Sequence, residues 1–395
     1  MTKKTISATC WIMSRLPAIH ILTPCLAPYD AIGNDVIQMR ATLSESGYSV
    51  KVFAEGIHPA YADVAKPLSS APDEIWQSLE DILIYHHSMG WPAGEQILFR
   101  ARNRIILRYH NITPARFFAP YSPPLVQACE AGVDSTKRIA QIPNALILGD
   151  STFNCEDFMA LGIAPEDCRV LAPFHLTEEL GREQFDMSTV QQYSGDVVNI
   201  LFVGRIKPNK GHARAIRVFA AYRRHFNERS RLIFAGGKDE RLDSYVQDLR
   251  RLAASLGIAE HVIFTGSVTG GQLRTLYTVA DVFLCTSEHE GFCVPLLEAM
   301  YFRAPIVAWG VTAVPETVGD CGFLLENWDE FLFASHIARL VEDSELAVRF
   351  GDLGRKRYQS MFAPEVLRRK MCEVVAEVSQ RPRTDRTTTI GTITG

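Results

Sequence analysis

The 395-residue chain, 47% apolar and 22% charged, is long enough for two to three domains of roughly 150 residues each. Its 41 lysines and arginines against 45 acidic residues leave a net charge of −4, with no global basic field to attract nucleic acid. Composition therefore excludes a disordered chain, a fibrous repeat and a disulfide-stapled miniprotein, and confines binding to a local site.

Nine scattered cysteines contain no Cys-x-x-Cys pair, which reads as reduced, buried thiols rather than zinc ligands or a redox motif. The apolar run at 8–13 is broken by Arg15 and Pro17, so no cleavable signal is expected. Nowhere do about 20 apolar residues run uninterrupted, as a membrane-spanning helix would need. The expectation is a cytoplasmic protein, with peripheral contact at the inner membrane surface left open.

In the first half, short β-branched runs at 18–22, 49–53, 82–85, 104–107 and 145–148 predict strands, and the pattern over 35–46 predicts a helix closed by Gly47. A polar stretch at 177–195 predicts an interdomain linker. In the second half, strands are predicted at 197–203, 231–235, 261–265, 282–285, 305–308 and 322–325. Helices are predicted between them at 213–224, 242–256, 272–278 and 295–302. This alternation predicts an α/β fold of two doubly wound, Rossmann-like domains facing across a cleft. The N-terminal one takes 1–190 and the C-terminal one 196–362. Pro364 opens a final helix over 364–379, whose face of Leu367, Met371, Val374, Val375 and Val378 would pack back on the N-terminal domain. The tail, 380–395, lacks any core-forming pattern and is expected to be flexible.

Two segments carry chemistry. In the first, a strand ends at Gly204 and a short loop bears Arg205, Lys207 and Lys210 before a helix that begins past Gly211. Amides, a helix N-terminus and cations together suit a phosphate; the alternative is a solvated basic loop. The second runs from Ser287 to Met300. Glu290 lies in a strand-end loop and Glu298 about one turn into the helix opened by Pro295, while Gly291, Phe292 and Cys293 offer backbone amides. Amides for phosphate and carboxylates for vicinal hydroxyls suit a nucleoside-diphosphate sugar; the alternative is a solvated Glu290 and a Glu298 that only stabilises its helix.

The spacing Glu290-x7-Glu298, with Gly204-Arg205-x4-Lys210 about 80 residues upstream, resembles the donor domain of the retaining GT-B glycosyltransferases of family 4, the glycosyl transferases group 1. Gly236-Gly237, Phe264-Thr265-Gly266, the segment 277–286 and Pro305-Ile306-Val307-Ala308 follow the family in the same order. The resemblance implies that Arg205 and Lys210 bind the donor diphosphate in place of a metal, that Glu298 holds the ribose, and that Glu290 orients the sugar. It implies that the backbone around Gly266 and Val268 lies by the nucleobase. No metal or cofactor is then expected beyond the nucleotide-sugar co-substrate, GDP-mannose before a UDP-hexose. Cys293 departs from the pattern, since many members have glycine there.

On the N-terminal side the resemblance is confined to the fold. Gly33, in the loop after the first strand, stands where the family has a glycine-rich turn. His110 looks like the family's acceptor-domain histidine, placed to meet a sugar hydroxyl or the acceptor proton, while His86 and His87 follow the 82–85 strand. Arg100, Arg102, Arg104, Arg108 and Arg116 interleave with Ile97, Leu98, Phe99, Phe117, Phe118 and Tyr121 and no acidic residue, which reads as a basic, apolar surface for a lipid-diphosphate-linked or oligosaccharide acceptor; the alternative is that the apolar residues pack in the core and the arginines are only solvated. The expected activity is retaining, metal-independent hexosyl transfer in bacterial polysaccharide assembly, mannosyl first. A UDP-glucose-dependent glucosyltransferase or a GT-B nucleotide-sugar epimerase is the alternative.

Overall fold

The computed structural model describes residues 16–28 and 30–381, so the 8–13 run and nearly all of the tail lie outside the described residues. Every strand pairing within the two sheets is parallel. The first sheet is built from β1 (Ile19–Leu26), β2 (Val50–Ile57), β3 (Lys66–Pro67), β4 (Ile82–His87), β5 (Arg104–Tyr109), β6 (Leu146–Gly149) and β7 (Cys168–Val170). Its order is β3-β2-β1-β4-β5-β6-β7. The second contains β8 (Val198–Val203), β9 (Ser230–Ala235), β10 (Val262–Gly266), β11 (Val282–Cys285), β12 (Ile306–Trp309) and β13 (Gly322–Leu325), in the order β10-β9-β8-β11-β12-β13.

Helices cover both faces, which is why the central strands read as unbroken apolar runs: all six residues of β4 and all four of β11 are buried. Strand order reverses between β1 and β4 and again between β8 and β11. Those switch points open crevices at the carboxyl ends of the strands, where α/β proteins bind ligands.

The 177–195 stretch is structured. Helices Thr177–Arg182 and Met187–Tyr193 pack against the second sheet's helices. The Asp186 amide donates to Thr275 Oγ1 at 3.0 Å, and Asn199 Nδ2 donates to the Tyr193 carbonyl at 2.9 Å. The chain therefore leaves the first sheet near His175. It returns in the helix Pro364–Gln380, whose Leu367, Met371, Val374, Val375 and Val378 are all buried. Arg368 pairs with Glu45 at 2.6 Å and Arg169 with Glu377 at 2.8 Å, tying that helix to the N-terminal side. The two crossings touch, His175 Nε2 lying 3.0 Å from the Phe362 carbonyl. Among the described residues no helix is long and apolar enough to cross a membrane.

Candidate active site

The 204–211 and 286–293 loops lie side by side at the carboxyl ends of β8 and β11. Glycine permits this approach. A Cβ on Gly211, at φ +73°, would stand 2.0 Å from the Thr286 carbonyl oxygen, and one on Gly236, at φ +156°, would stand 2.0 Å from that of Gly204. The loops are then laced together. Amides of Glu288 and His289 donate to the Asn209 carbonyl, Asn209 Nδ2 donates to the His289 carbonyl at 3.1 Å, and Thr286 Oγ1 donates to the Gly211 carbonyl at 2.9 Å.

This lacing brings together cations and carboxylates 80 residues apart. Lys210 Nζ lies 2.7 Å from each carboxylate oxygen of Glu290, which also accepts from Ser287 Oγ at 2.7 Å; the Glu290 amide donates to Thr312 Oγ1 at 3.1 Å. Burial works against the Lys210 charge, but Glu290 outweighs it and holds the ammonium above its usual pKa. Lys207, largely enclosed and beside Arg205 and Lys210, is lowered instead. Glu298 sits in the helix Val294–Phe302 and accepts from Tyr277 Oη at 2.6 Å; burial raises its pKa against that hydrogen bond. Val268 is partly buried in the apolar layer beyond β10, and Gly266 ends that strand at φ +71°.

Cys293 caps the start of the helix at φ +80°, ψ +72°, a left-handed conformation natural to glycine and strained for cysteine. Its Sγ lies 4.0 Å from Cys285 Sγ, and both thiols are buried. Phe292 is buried against Phe362, and the Gly291 carbonyl accepts from Ser151 Oγ of the opposite domain.

Arg205 also reaches across the cleft, where its Nη2 lies 2.9 Å from Asp30 Oδ1. Asp30 caps the helix Ala31–Glu45 by accepting the Gly33 amide at 3.0 Å, which puts Gly33 at the cleft.

Behind this edge lies a buried network that the sequence reading missed. Arg108 is wholly buried, its Nε 3.0 Å from Asp35 Oδ2 and its Nη2 2.7 Å from Asp150 Oδ1. Burial opposes the Arg108 charge, but the two carboxylates outweigh it and raise its pKa; Arg108 in turn holds Asp35 down. His110 Nδ1 lies 3.1 Å from Asp150 Oδ2, and its Nε2 lies 2.8 Å from His86 Nδ1. Facing a carboxylate, His110 Nδ1 carries the proton, so Nε2 accepts from His86. Asp35, His86 and His110 offer ligand-type atoms within 4.8 Å of one another, but Asp35 Oδ2 already accepts from Arg108 and the imidazoles are bonded to each other. The group is closed on itself.

Three expectations change here. Both ring nitrogens of His110 are engaged inside its own domain, so meeting a sugar hydroxyl would require one bond to be given up. His86 and His87 belong to β4 rather than following it. The 100–116 arginines do not form one surface. Arg108, Ile97, Leu98 and Phe118 are buried, Arg104 donates to the Leu79 carbonyl, and Arg116 lies over Phe117. Phe99, Arg100, Arg102 and Arg116 are exposed, Arg100 paired with Asp73. Alternation along β5 hints at an inward Arg108, but its partners are 73 and 42 residues away.

Residues 189–357, which carry both the 204–211 and the 286–293 loops, match the family described as glycosyl transferases group 1. The match is to this segment alone, which is less than half of the chain. The chain is 31% identical over 170 residues to a GDP-mannose-dependent alpha-(1-6)-phosphatidylinositol monomannoside mannosyltransferase from Mycolicibacterium smegmatis, a stretch covering 41% of this chain and 43% of that protein. The chain thus matches less than half the length of this relative. The group 1 segment sits in a GT-B fold. A sucrose-phosphate synthase from Thermosynechococcus elongatus superposes with a TM-score of 0.72 at 17% identity, covering 92% of this chain and 99% of that one. Anabaena HepE, solved with UDP and glucose, gives 0.72 at 17% identity over 91% of this chain and 100% of that one.

Proposed function

We propose that the chain is a retaining glycosyltransferase that moves a hexose, mannose from GDP-mannose first, to a hydroxyl of a lipid-linked or saccharide acceptor. The observation that carries this reading is the Lys210–Glu290 pair at the β8 and β11 strand ends, with Tyr277-bonded Glu298 in the following helix. In this reading the donor diphosphate lies against Arg205 and Lys210, which offset the charge developing on the leaving phosphate without a metal. Released from Lys210, Glu290 accepts from the hexose hydroxyls, and Glu298 takes the ribose hydroxyls. The Gly266 and Val268 backbone faces the base. The engagement of both His110 nitrogens supports a path in which the leaving phosphate itself takes the acceptor proton.

The name of the Mycolicibacterium relative supports a GDP-mannose donor and a lipid acceptor. The UDP and glucose in HepE support UDP-glucose as the second reading. A cytoplasmic location with peripheral membrane contact at Phe99 and Arg100 belongs to the same proposal.

A panel of nucleotide sugars scored by thermal shift and then by transfer tests it, because a ligand that binds only the folded state raises stability by mass action. GDP-mannose is expected to give the largest shift. No shift with any nucleoside diphosphate would sink the donor site, and turnover of a nucleotide sugar to its epimer without an acceptor would replace transfer by epimerisation.

A further inference from the structure

The loop that carries Glu290 is built by one domain but gripped by both. Its first half is held from its own side, through Asn209, Ser287 and Lys210. Its tip crosses the cleft. The His289 ring enters a slot between Phe117 and Phe153, with ring centroids 6.2 and 5.6 Å away. Its Nε2 lies 2.6 Å from Asn111 Oδ1. Asn111 Nδ2 donates to Asn154 Oδ1 at 3.1 Å and Asp157 Oδ2 at 3.3 Å, which fixes the amide so that its oxygen faces the histidine. His289 must therefore donate from Nε2. One residue further on, Gly291 lies against the Asn111 backbone so closely that a Cβ there would stand 2.8 Å from Asn111 Cβ and 3.2 Å from the His110 carbonyl oxygen. Ser151 Oγ donates to the Gly291 carbonyl at 2.8 Å. Glu290 sits between these two handholds.

We propose that Asn111, acting through His289, is a positioning residue by which the N-terminal domain seats the Glu290 loop. Glu290 then takes its working position only when the two domains meet. This rests on the reading of Glu290 as the donor-sugar contact. Its consequence is that a donor can bind the C-terminal domain by its diphosphate alone, while alignment of the sugar waits for the acceptor side to close. Misplacing a group by about 1 Å is enough to cost on the order of a hundredfold in rate.

The substitutions are His289→Ala and Asn111→Gly. Glycine at 111 removes the side chain while tolerating the local φ of +70°. The first measurement is amide hydrogen exchange on the full chain. Asn111→Gly changes nothing in the C-terminal domain, yet exchange over 287–293 is expected to accelerate by about tenfold or more, with β8 and β11 unchanged. Unchanged exchange over that segment in both variants overturns the proposal, whatever the enzyme turns over. The second is turnover of the donor identified by the panel. kcat is expected to fall by about tenfold or more in both variants, while nucleoside-diphosphate affinity stays within about twofold. His289→Gln, whose amide N–H can reach the same oxygen, is expected to recover most of the loss. Affinity falling in step with kcat, or no recovery by glutamine, overturns the positioning role. Failure of the wild type to bind any nucleoside diphosphate would instead remove the donor-site reading, with hydrogen exchange still deciding the seating.

Discussion

Lys210 Nζ sits equidistant from the two carboxylate oxygens of Glu290, 2.7 Å from each, with side chains 22% and 7% exposed. The pair is the resting state of two groups that the proposed reaction must separate: the ammonium for the diphosphate, the carboxylate for the sugar. Removing one partner leaves the other enclosed and uncompensated. Lys210→Ala is therefore expected to lower stability by about 3 kcal/mol and turnover by about 10²–10³. In urea melts, the double variant Lys210→Ala/Glu290→Gln should be less destabilised than the sum of the singles. Additive losses would mean that the pair is not coupled.

The Asp30 carboxylate occupies Arg205, the cation expected to meet a phosphate. A donor has to compete with it. Asp30→Ala is expected to tighten UDP or GDP binding by up to about fivefold at low salt, since an exposed pair is worth about 1 kcal/mol at most. Titration calorimetry at two ionic strengths checks it: the gain should shrink with salt. Weaker binding in the variant would instead give Asp30 a direct part in holding the ligand.

Cys293 bears the backbone conformation of a glycine. Cys293→Gly exchanges the lost burial of a small thiol for relief of about 1 kcal/mol of strain, so its stability should match the wild type within about 1 kcal/mol. Cys293→Val, branched at Cβ in the left-handed region, should cost about 2 kcal/mol or more. Denaturant melts of the two variants decide. Valine tolerated as well as glycine would show that the site carries no strain.

Burial holds His87, His212, His175 and His289 neutral. His87 and His212 are lowered to about 3, His175 and His289 to about 4. Unfolding restores each to about 6.5, so between that value and its folded one the unfolded chain binds the extra proton. The stability these groups contribute is complete above about pH 6.5 and is lost as pH falls, by up to about 1.4 kcal/mol per pH unit for each. The melting temperature should drop steadily from pH 7 to pH 5. His87→Asn, which removes one such group, should flatten the slope. A flat profile over that range would mean the four rings are not kept neutral.

Most strands could be read from the sequence because both sheets are covered on both faces, which leaves apolar runs such as those at β4 and β11. The two strand-end loops could be read because their residues are contiguous: Arg205 to Lys210, and Glu290 to Glu298. What stayed hidden depends on distant partners. Arg108 in β5 looked like a surface cation until Asp35 and Asp150 arrived from other elements. The 177–195 stretch looked like a linker because its helices are only six and seven residues long and gain their stability from packing. β3, two residues at a sheet edge, carries no pattern to read.

The return of the helix Pro364–Gln380 to the first sheet bears on how such a protein can be rebuilt. The unit that folds around β1–β7 is discontinuous in the gene: its closing helix is encoded after the whole group 1 segment. A chimaera made with one junction near His175 would pair one parent's helix Ala31–Glu45 with the other's closing helix, mismatching the Leu367, Met371 and Val375 stripe. Exchange of the second-sheet unit between relatives is therefore an insertion between two junctions, His175 and Phe362, which already touch. A graft that respects both leaves the recipient's first-sheet domain complete.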